Sequence, residues 1–452
     1  MSISKSDNKF EKIILVLSLI IFAVTFMIYK YRLVPDSGGY IEMAAAGREP
    51  LYPFFLFIFR SIFNLFNAGD DAYFYAVSIA QNLLAAYALY FAVINLRRLF
   101  NLNNLISSLI FLVFLAPSFF TIILSRTGVV MSCSIGTEAL TVPLYYIYFT
   151  LLIKFILEHD IKYYIKAILI SVLLALTRGQ MLMLFIINFF ALIAVNKKIF
   201  KALLIMLACF ALTALISRCY YYITRGYFIG NTYGPITSSS GVFLAGSKDE
   251  ADLFEDEKLR ELYIKINNEI EAKGYRENLY DLNILYTGLK AEDAHDPVKF
   301  YITGPLIHNY IVETEGVQGV AAEIERDKLA SVMMKKLLTS SSVIKNYIKI
   351  YIGYLAVGFI RSVAFINPVL NIYAVIIYAL TLILLLICIK NKWKREGLFI
   401  FFALLALTGF VTSVSLVIMP LSRYMIYSLP FLYSSLIICL IKIFYDYKRE
   451  LN

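Results

Sequence analysis

The stretch Leu33–Pro53, LVPDSGGYIEMAAAGREPLYP, decides how the rest of the chain is read. It sets a carboxylate, Asp36, behind a proline and ahead of two glycines. A helix-like run from Tyr40 to Ala46 follows, and then Arg48-Glu49-Pro50-Leu51-Tyr52-Pro53. Proline fixes φ and glycine opens the left-handed region, so these residues specify rigid turns around the acid. Apolar sequence flanks the stretch on both sides. The run before it, about Ile13 to Tyr29, is long enough to cross a bilayer. The run after it, Leu51 to Leu65, is too short to cross comfortably and is bounded by Pro53, Arg60 and Asn64. It fits a helix lying in the interface plane.

The same character extends along the 452 residues. The chain is 60% hydrophobic and 16% charged, which excludes an ordinary soluble protein and specifies helices that cross lipid. The net charge of +10 requires no nucleic-acid partner, because most of the excess lies in short loops between spans. The expected class is an all-α polytopic membrane protein of about ten transmembrane helices, with membrane lipids as its surroundings. The apolar run behind Lys12 is too long for a signal-peptide core and no small-residue cleavage site follows, so it is read as a retained first span.

The further spans are about Tyr73–Ile94, Leu105–Leu124, from Glu138 to near His159, Tyr164–Thr177, Met181–Val195, Leu203–Ile216, Val369–Ile389, Leu398–Ile418 and Met425–Tyr445. Residues 217–346 are polar and richer in acids than bases. They keep aromatic and Ile/Leu positions at helical spacing, as a structured, mostly helical extracytoplasmic domain would. Tyr347–Ile366 is apolar but carries Lys349 and Arg361; if it crossed, the basic run Lys390–Arg395 would be translocated, so it is taken as interfacial. The expected organisation is therefore 1–216, with an outer loop at 30–71, then 217–346, then 347–452. Both termini are placed in the cytoplasm, in a bacterial inner membrane.

On this topology four polar clusters reach the outer face: Asp36 with Tyr40, Arg48 and Tyr52; Glu138; Arg178; and Arg423 with Tyr424. Taken singly, an Arg at a span end is an interfacial anchor, a Tyr there belongs to the aromatic belt, and an acid opening a helix offsets its dipole. Two acids and several arginines on one side can do more. A carboxylate accepts a proton from an attacking hydroxyl, and guanidinium groups hold a departing phosphate. Five cysteines are scattered without metal spacing; Cys133 and Cys219 both fall near the outer face and are read as thiols rather than a bridge.

Asp36-Ser-Gly-Gly-Tyr40-Ile-Glu-Met-Ala44, followed by Gly47-Arg48-Glu-Pro50-Leu-Tyr52-Pro53, resembles the first-loop signature of GT-C glycosyltransferases. The nearest group is the family 39-like bacterial relatives of protein O-mannosyltransferases, together with aminoarabinose transferases and O-antigen glucosyltransferases. Thr137-Glu138, Leu176-Thr177-Arg178-Gly179-Gln180, Asp327 to Tyr347, and Arg423-Tyr424 to Pro430 are similar to later motifs of that family. The resemblance implies a GT-C-like bundle with inverting transfer of a sugar from a polyprenyl-phosphate donor to a glycan, lipid or protein acceptor, as in O-antigen modification. It implies Asp36 as catalytic base and Glu138 as its assistant. Substrate contacts would come from Tyr40, Arg48, Tyr52, Arg178, Arg423 and Tyr424. Some relatives pair two acids in this loop to bind a metal. Here Glu42 stands six residues from Asp36, off its helical face, so no metal or other cofactor is predicted, and dependence on a divalent ion stays open. An O-antigen polymerase or ligase and a lipid-linked glycan transporter are the alternatives. The first would place its arginines in the large outer loop, and the second would show internal repeats.

Overall fold

The computed structural model describes residues 5–43, 47–124, 130–231, 234–364 and 366–451. Residues 44–46 of the first-loop motif, and 125–129 of the loop before Glu138, lie outside that description. The described chain is almost entirely helical. In order the helices are α1 (Lys5–Tyr29), α2 (Ser37–Ile41), α3 (Leu51–Leu65), α4 (Asp70–Phe100), α5 (Asn104–Leu124), α6 (Glu138–Glu158), α7 (Ile161–Ala175), α8 (Met183–Asn196) and α9 (Ile199–Arg225). They continue with α10 (Gly234–Ala245), α11 (Glu257–Ala272), α12 (Ile284–Pro297), α13 (Gly304–Glu315), α14 (Gly319–Leu337), α15 (Ser341–Arg361), α16 (Pro368–Lys390), α17 (Lys394–Val417) and α18 (Leu429–Leu451). Two strands of two residues each, β1 (Arg32–Leu33) and β2 (Ser134–Ile135), pair in parallel.

Among the described residues nine helices are long and apolar enough to cross a membrane, by length and composition. Eight coincide with expected spans; the ninth is α15, the segment read from sequence as interfacial. Its 21 residues form one unbroken helix, because neither Lys349 nor Arg361 carries a helix-breaking backbone. Conversely, the expected span in α7 is a helix of 15 residues, about 22 Å at 1.5 Å per residue, shorter than the hydrocarbon layer.

The chain divides into two compact units. Unit 1 holds Met1–Tyr220, Ile376–Phe410 and Met425–Asn452. Its centre is α6, which packs on α4, α7 and α8 and has 78% of its most apolar window buried. The windows of α1 and α9 are only 22% and 17% buried, leaving Val16, Ile20, Leu204 and Leu207 exposed. Apolar faces of that extent fit an acyl-chain environment.

Unit 2 holds Tyr221–Val375 and Val411–Tyr424. Its sequence writes its own helix starts: Asp256 accepts from the Leu259 N–H, Asn283 from the Tyr286 N–H, and Ser247 with Glu250 forms a reciprocal capping box. Phe243, Tyr263, Ile266, Met333 and Ile350 fill its core. The closest helix crossing is α12 on α15, where Gly288 meets Gly353. A Cβ on Gly288 would lie 2.3 Å from the Gly353 carbonyl oxygen, so only hydrogen fits there.

Candidate functional site

The acid loop is shaped by a segment a hundred residues away. β1 pairs with β2, with Arg32 opposite Ser134 and Leu33 opposite Ile135. The Ser37 hydroxyl then stitches the turn at Pro35-Asp36. It accepts from the Val34 N–H at 2.7 Å and donates to the Ile135 carbonyl at 2.7 Å. Behind it, the buried Gln81 steadies β2. With its amide oriented to satisfy both ends, Nε2 donates to the Ser132 and Ser134 carbonyls at 3.2 Å and Oε1 accepts from the Tyr52 hydroxyl at 2.8 Å.

Asp36 directly precedes α2, which begins at Ser37 rather than at Tyr40. It occupies the N-cap position, but its side chain makes no capping bond. Instead its Oδ1 accepts from Arg48 Nη2 at 3.0 Å. Arg48 reaches Asp36 by crossing Gly39. A Cβ there would sit 2.8 Å from Arg48 Nε, so the second glycine of the motif is space for a guanidinium. Arg48 also donates to the Tyr40 hydroxyl at 3.3 Å and lies over its ring, 4.6 Å from the centroid.

From Tyr40 the network continues inward. Its hydroxyl is 3.5 Å from the Thr137 hydroxyl, which donates to Glu138 Oε2 at 3.3 Å. Glu138 Oε1 pairs with Arg178 Nη1 at 2.7 Å. Asp36, Arg48, Tyr40, Glu138 and Arg178 therefore form one connected polar chain across α2, the 48–50 turn, the start of α6 and the break after α7. Tyr52 stands edge-on to Tyr40, with centroids 5.2 Å apart, and is fully buried. Burial raises the Tyr40 phenol above its ordinary value, with Arg178 opposing, so it stays a neutral hydroxyl near pH 7.

The two carboxylates differ in access. Glu138 and Arg178 are 15% and 14% exposed, so their charges face each other with little water between them. Asp36 is 39% exposed and is the more accessible of the two acids.

Three of the four clusters expected from sequence are thus joined within unit 1. Arg423 and Tyr424 belong to unit 2, where Arg423 Nη2 donates to the Tyr424 hydroxyl at 3.0 Å. Their substrate role rests on the resemblance alone.

Glu49 was not singled out from sequence. The Ser217 hydroxyl is 3.5 Å from its Oε2, and a Cβ on Gly179 would be 3.7 Å from its Oε1. The neighbouring Leu51 N–H donates to the Leu176 carbonyl at 2.8 Å, fastening the 48–50 turn to the break that carries Arg178. Glu49 had no signal beyond its place between Arg48 and Pro50. Thr137, the bridge to Glu138, had no signal beyond adjacency.

Cys133 is buried and Cys219 exposed, and both are thiols. Among the described residues no three His, Cys, Asp or Glu side chains gather as ligands of a metal would. A scan against protein-family models finds no match to this chain, and searches of curated proteins and of solved structures find none either.

Proposed function

We propose that the protein is an inverting glycosyltransferase of the GT-C type. It would move a sugar from a polyprenyl-phosphate donor to a hydroxyl on a glycan, lipid or protein acceptor, on the outer face of a bacterial cytoplasmic membrane. The observation that carries this reading is the pair of carboxylates in one polar network, one accessible and one locked to an arginine. In the proposed reaction Asp36 accepts the proton of the acceptor hydroxyl. The hydroxyl oxygen bonds to the anomeric carbon from the face opposite the phosphate. The carbon–oxygen bond to phosphate breaks, and polyprenyl phosphate departs as an anion that needs no proton. Arg48 has a double use here: the donor phosphate competes with Asp36 for its guanidinium, and that exchange hands Asp36 to the acceptor. Glu138 holds Arg178, and the neutral Tyr40 hydroxyl lies between the two ion pairs to orient the acceptor.

The test is transfer by purified protein in lipid nanodiscs with a polyprenyl-phosphate sugar. Wild type should release polyprenyl phosphate and label an acceptor, and Asp36→Asn should lower the rate at least a thousandfold with folding intact. Release that survives Asp36→Asn would remove the assignment. Acceptor chains lengthened by repeat units instead of single sugars would favour a polymerase.

A further inference from the structure

Unit 2 carries an open groove of about 540 Å³, within the roughly 300–1,000 Å³ of small-molecule sites. One wall is a single stripe of α14: Ile324, Asp327, Lys328, Ser331, Val332 and Lys335. The spacing of three and four residues puts them on one helix face. The segment from Ile229 to Asn231 and Pro235, at the first turn of α10, form the other wall.

Asp327 is the unusual member. It is 6% exposed, and its Oδ1 pairs with Arg326 at 3.1 Å. Its Oδ2 is buried with no hydrogen-bond partner among the described residues. A buried carboxylate oxygen left unpaired is costly, and burial raises this acid to about 6 despite Arg326 beside it. The carboxylate torsion is soft, so a small rotation presents Oδ2 to a donor in the groove. Further along the stripe the charge reverses. Lys328 is paired with Glu325 at 2.6 Å, whereas Lys335, two turns on, has no acid partner among the described residues. Among the described residues that line the groove none is aromatic, and what they offer a ligand is hydrogen bonds and charge.

We infer that this groove binds an acidic saccharide, with Asp327 accepting from ring hydroxyls and Lys335 meeting the anionic substituent. An ammonium-bearing ligand would suit Asp327 but would be repelled by the two lysines. A bare phosphate would suit the lysines but be repelled by Asp327. Naming this ligand as part of the acceptor rests on the glycosyl-transfer reading; binding itself does not.

The experiment is calorimetric titration of the full chain in nanodiscs with D-glucuronate, D-glucose and inorganic phosphate. Glucuronate should bind saturably and at least tenfold more tightly than glucose or phosphate. Lys335→Glu, an exposed change that leaves the fold alone, should weaken glucuronate at least tenfold, and Asp327→Asn should erase the preference over phosphate. Glucose binding as well as glucuronate, phosphate binding as well as glucuronate, or Lys335→Glu without effect would each overturn the site. Asp36→Asn should bind glucuronate like wild type. A protein that binds glucuronate but transfers nothing would overturn the enzyme assignment and leave the groove standing; one that transfers but binds no glucuronate would do the reverse.

Discussion

At the scale of residues, the acid site depends on who stands beside whom. Gly39 is the sharpest case, because the Arg48 side chain fills the space a methyl would take. Gly39→Ala should therefore displace Arg48 from Asp36 and lower transfer at least tenfold, while melting temperature moves by only a few degrees; unchanged turnover would show that Arg48 does not need this path. The Glu138–Arg178 pair belongs to a different class. Removing one partner of a shielded ion pair leaves an uncompensated charge, a cost of about 3–5 kcal/mol. Arg178→Ala should thus lose both activity and stability, and Arg178→Lys should recover stability more than activity, readable by thermal unfolding beside the transfer assay. Asp36, Tyr40, Arg48, Glu138 and Arg178 were legible in the sequence because charged and tyrosine side chains near spans stand out against apolar surroundings. Ser37, Thr137 and Gln81 were not. Their contribution is two or three hydrogen bonds each to particular carbonyls, amides or side chains, and nothing in a serine, threonine or glutamine announces its partners.

At the scale of elements, most helices could be read from apolar length and caps. α15 could not, because charge pattern and helix length gave opposing signals for it, and the parity argument chose one. What ties α15 into unit 2 is its crossing with α12. Gly288→Ala or Gly353→Ala would force the two backbones apart and should cost about 1–3 kcal/mol, as overpacking does. Unit 2 should lose cooperativity in unfolding while unit 1 keeps its own transition; a single unshifted transition would refute the close crossing.

α12 also buries His295, 2% exposed, with neither ring nitrogen hydrogen-bonded among the described residues. Burial, with Lys299 adding repulsion, lowers it to about 3, so the folded ring is neutral. The unfolded ring takes a proton below its ordinary 6.5. Its contribution is therefore full above pH 6.5 and is lost as pH falls toward 3, by about 2 kcal/mol at pH 5. His295→Phe should flatten the acid limb of unit 2's stability measured from pH 7.5 to 5; an identical slope in the variant would place that sensitivity elsewhere.

At the scale of the whole molecule, the composition carried the class: a helical chain whose α1 and α9 leave most of their apolar residues exposed suits a lipid surrounding. The sidedness is a prediction with its own measurement. Cys219 is exposed, whereas Cys133, Cys209, Cys388 and Cys439 are buried. In intact spheroplasts a membrane-impermeant maleimide should label Cys219 within minutes, and Cys219→Ser should abolish that labelling. Labelling only after the membrane is permeabilised would put Cys219 on the inner side and reverse the topology. The division into two units was harder to foresee. Unit 2 takes in Val411–Tyr424, the end of α17 and the turn after it, and that return of the chain leaves no mark in composition.

The ladder between β1 and β2 carries one more consequence. Arg32 emerges from the ribosome about a hundred residues ahead of Ser134, which at 5–20 residues per second is roughly 5–20 s. Until the chain has been made through α5, the turn bearing Asp36 has no template to set against. The newborn chain therefore carries that corner unshaped through the first part of its synthesis, and on the proposed reading biogenesis itself delays the moment at which the corner could act.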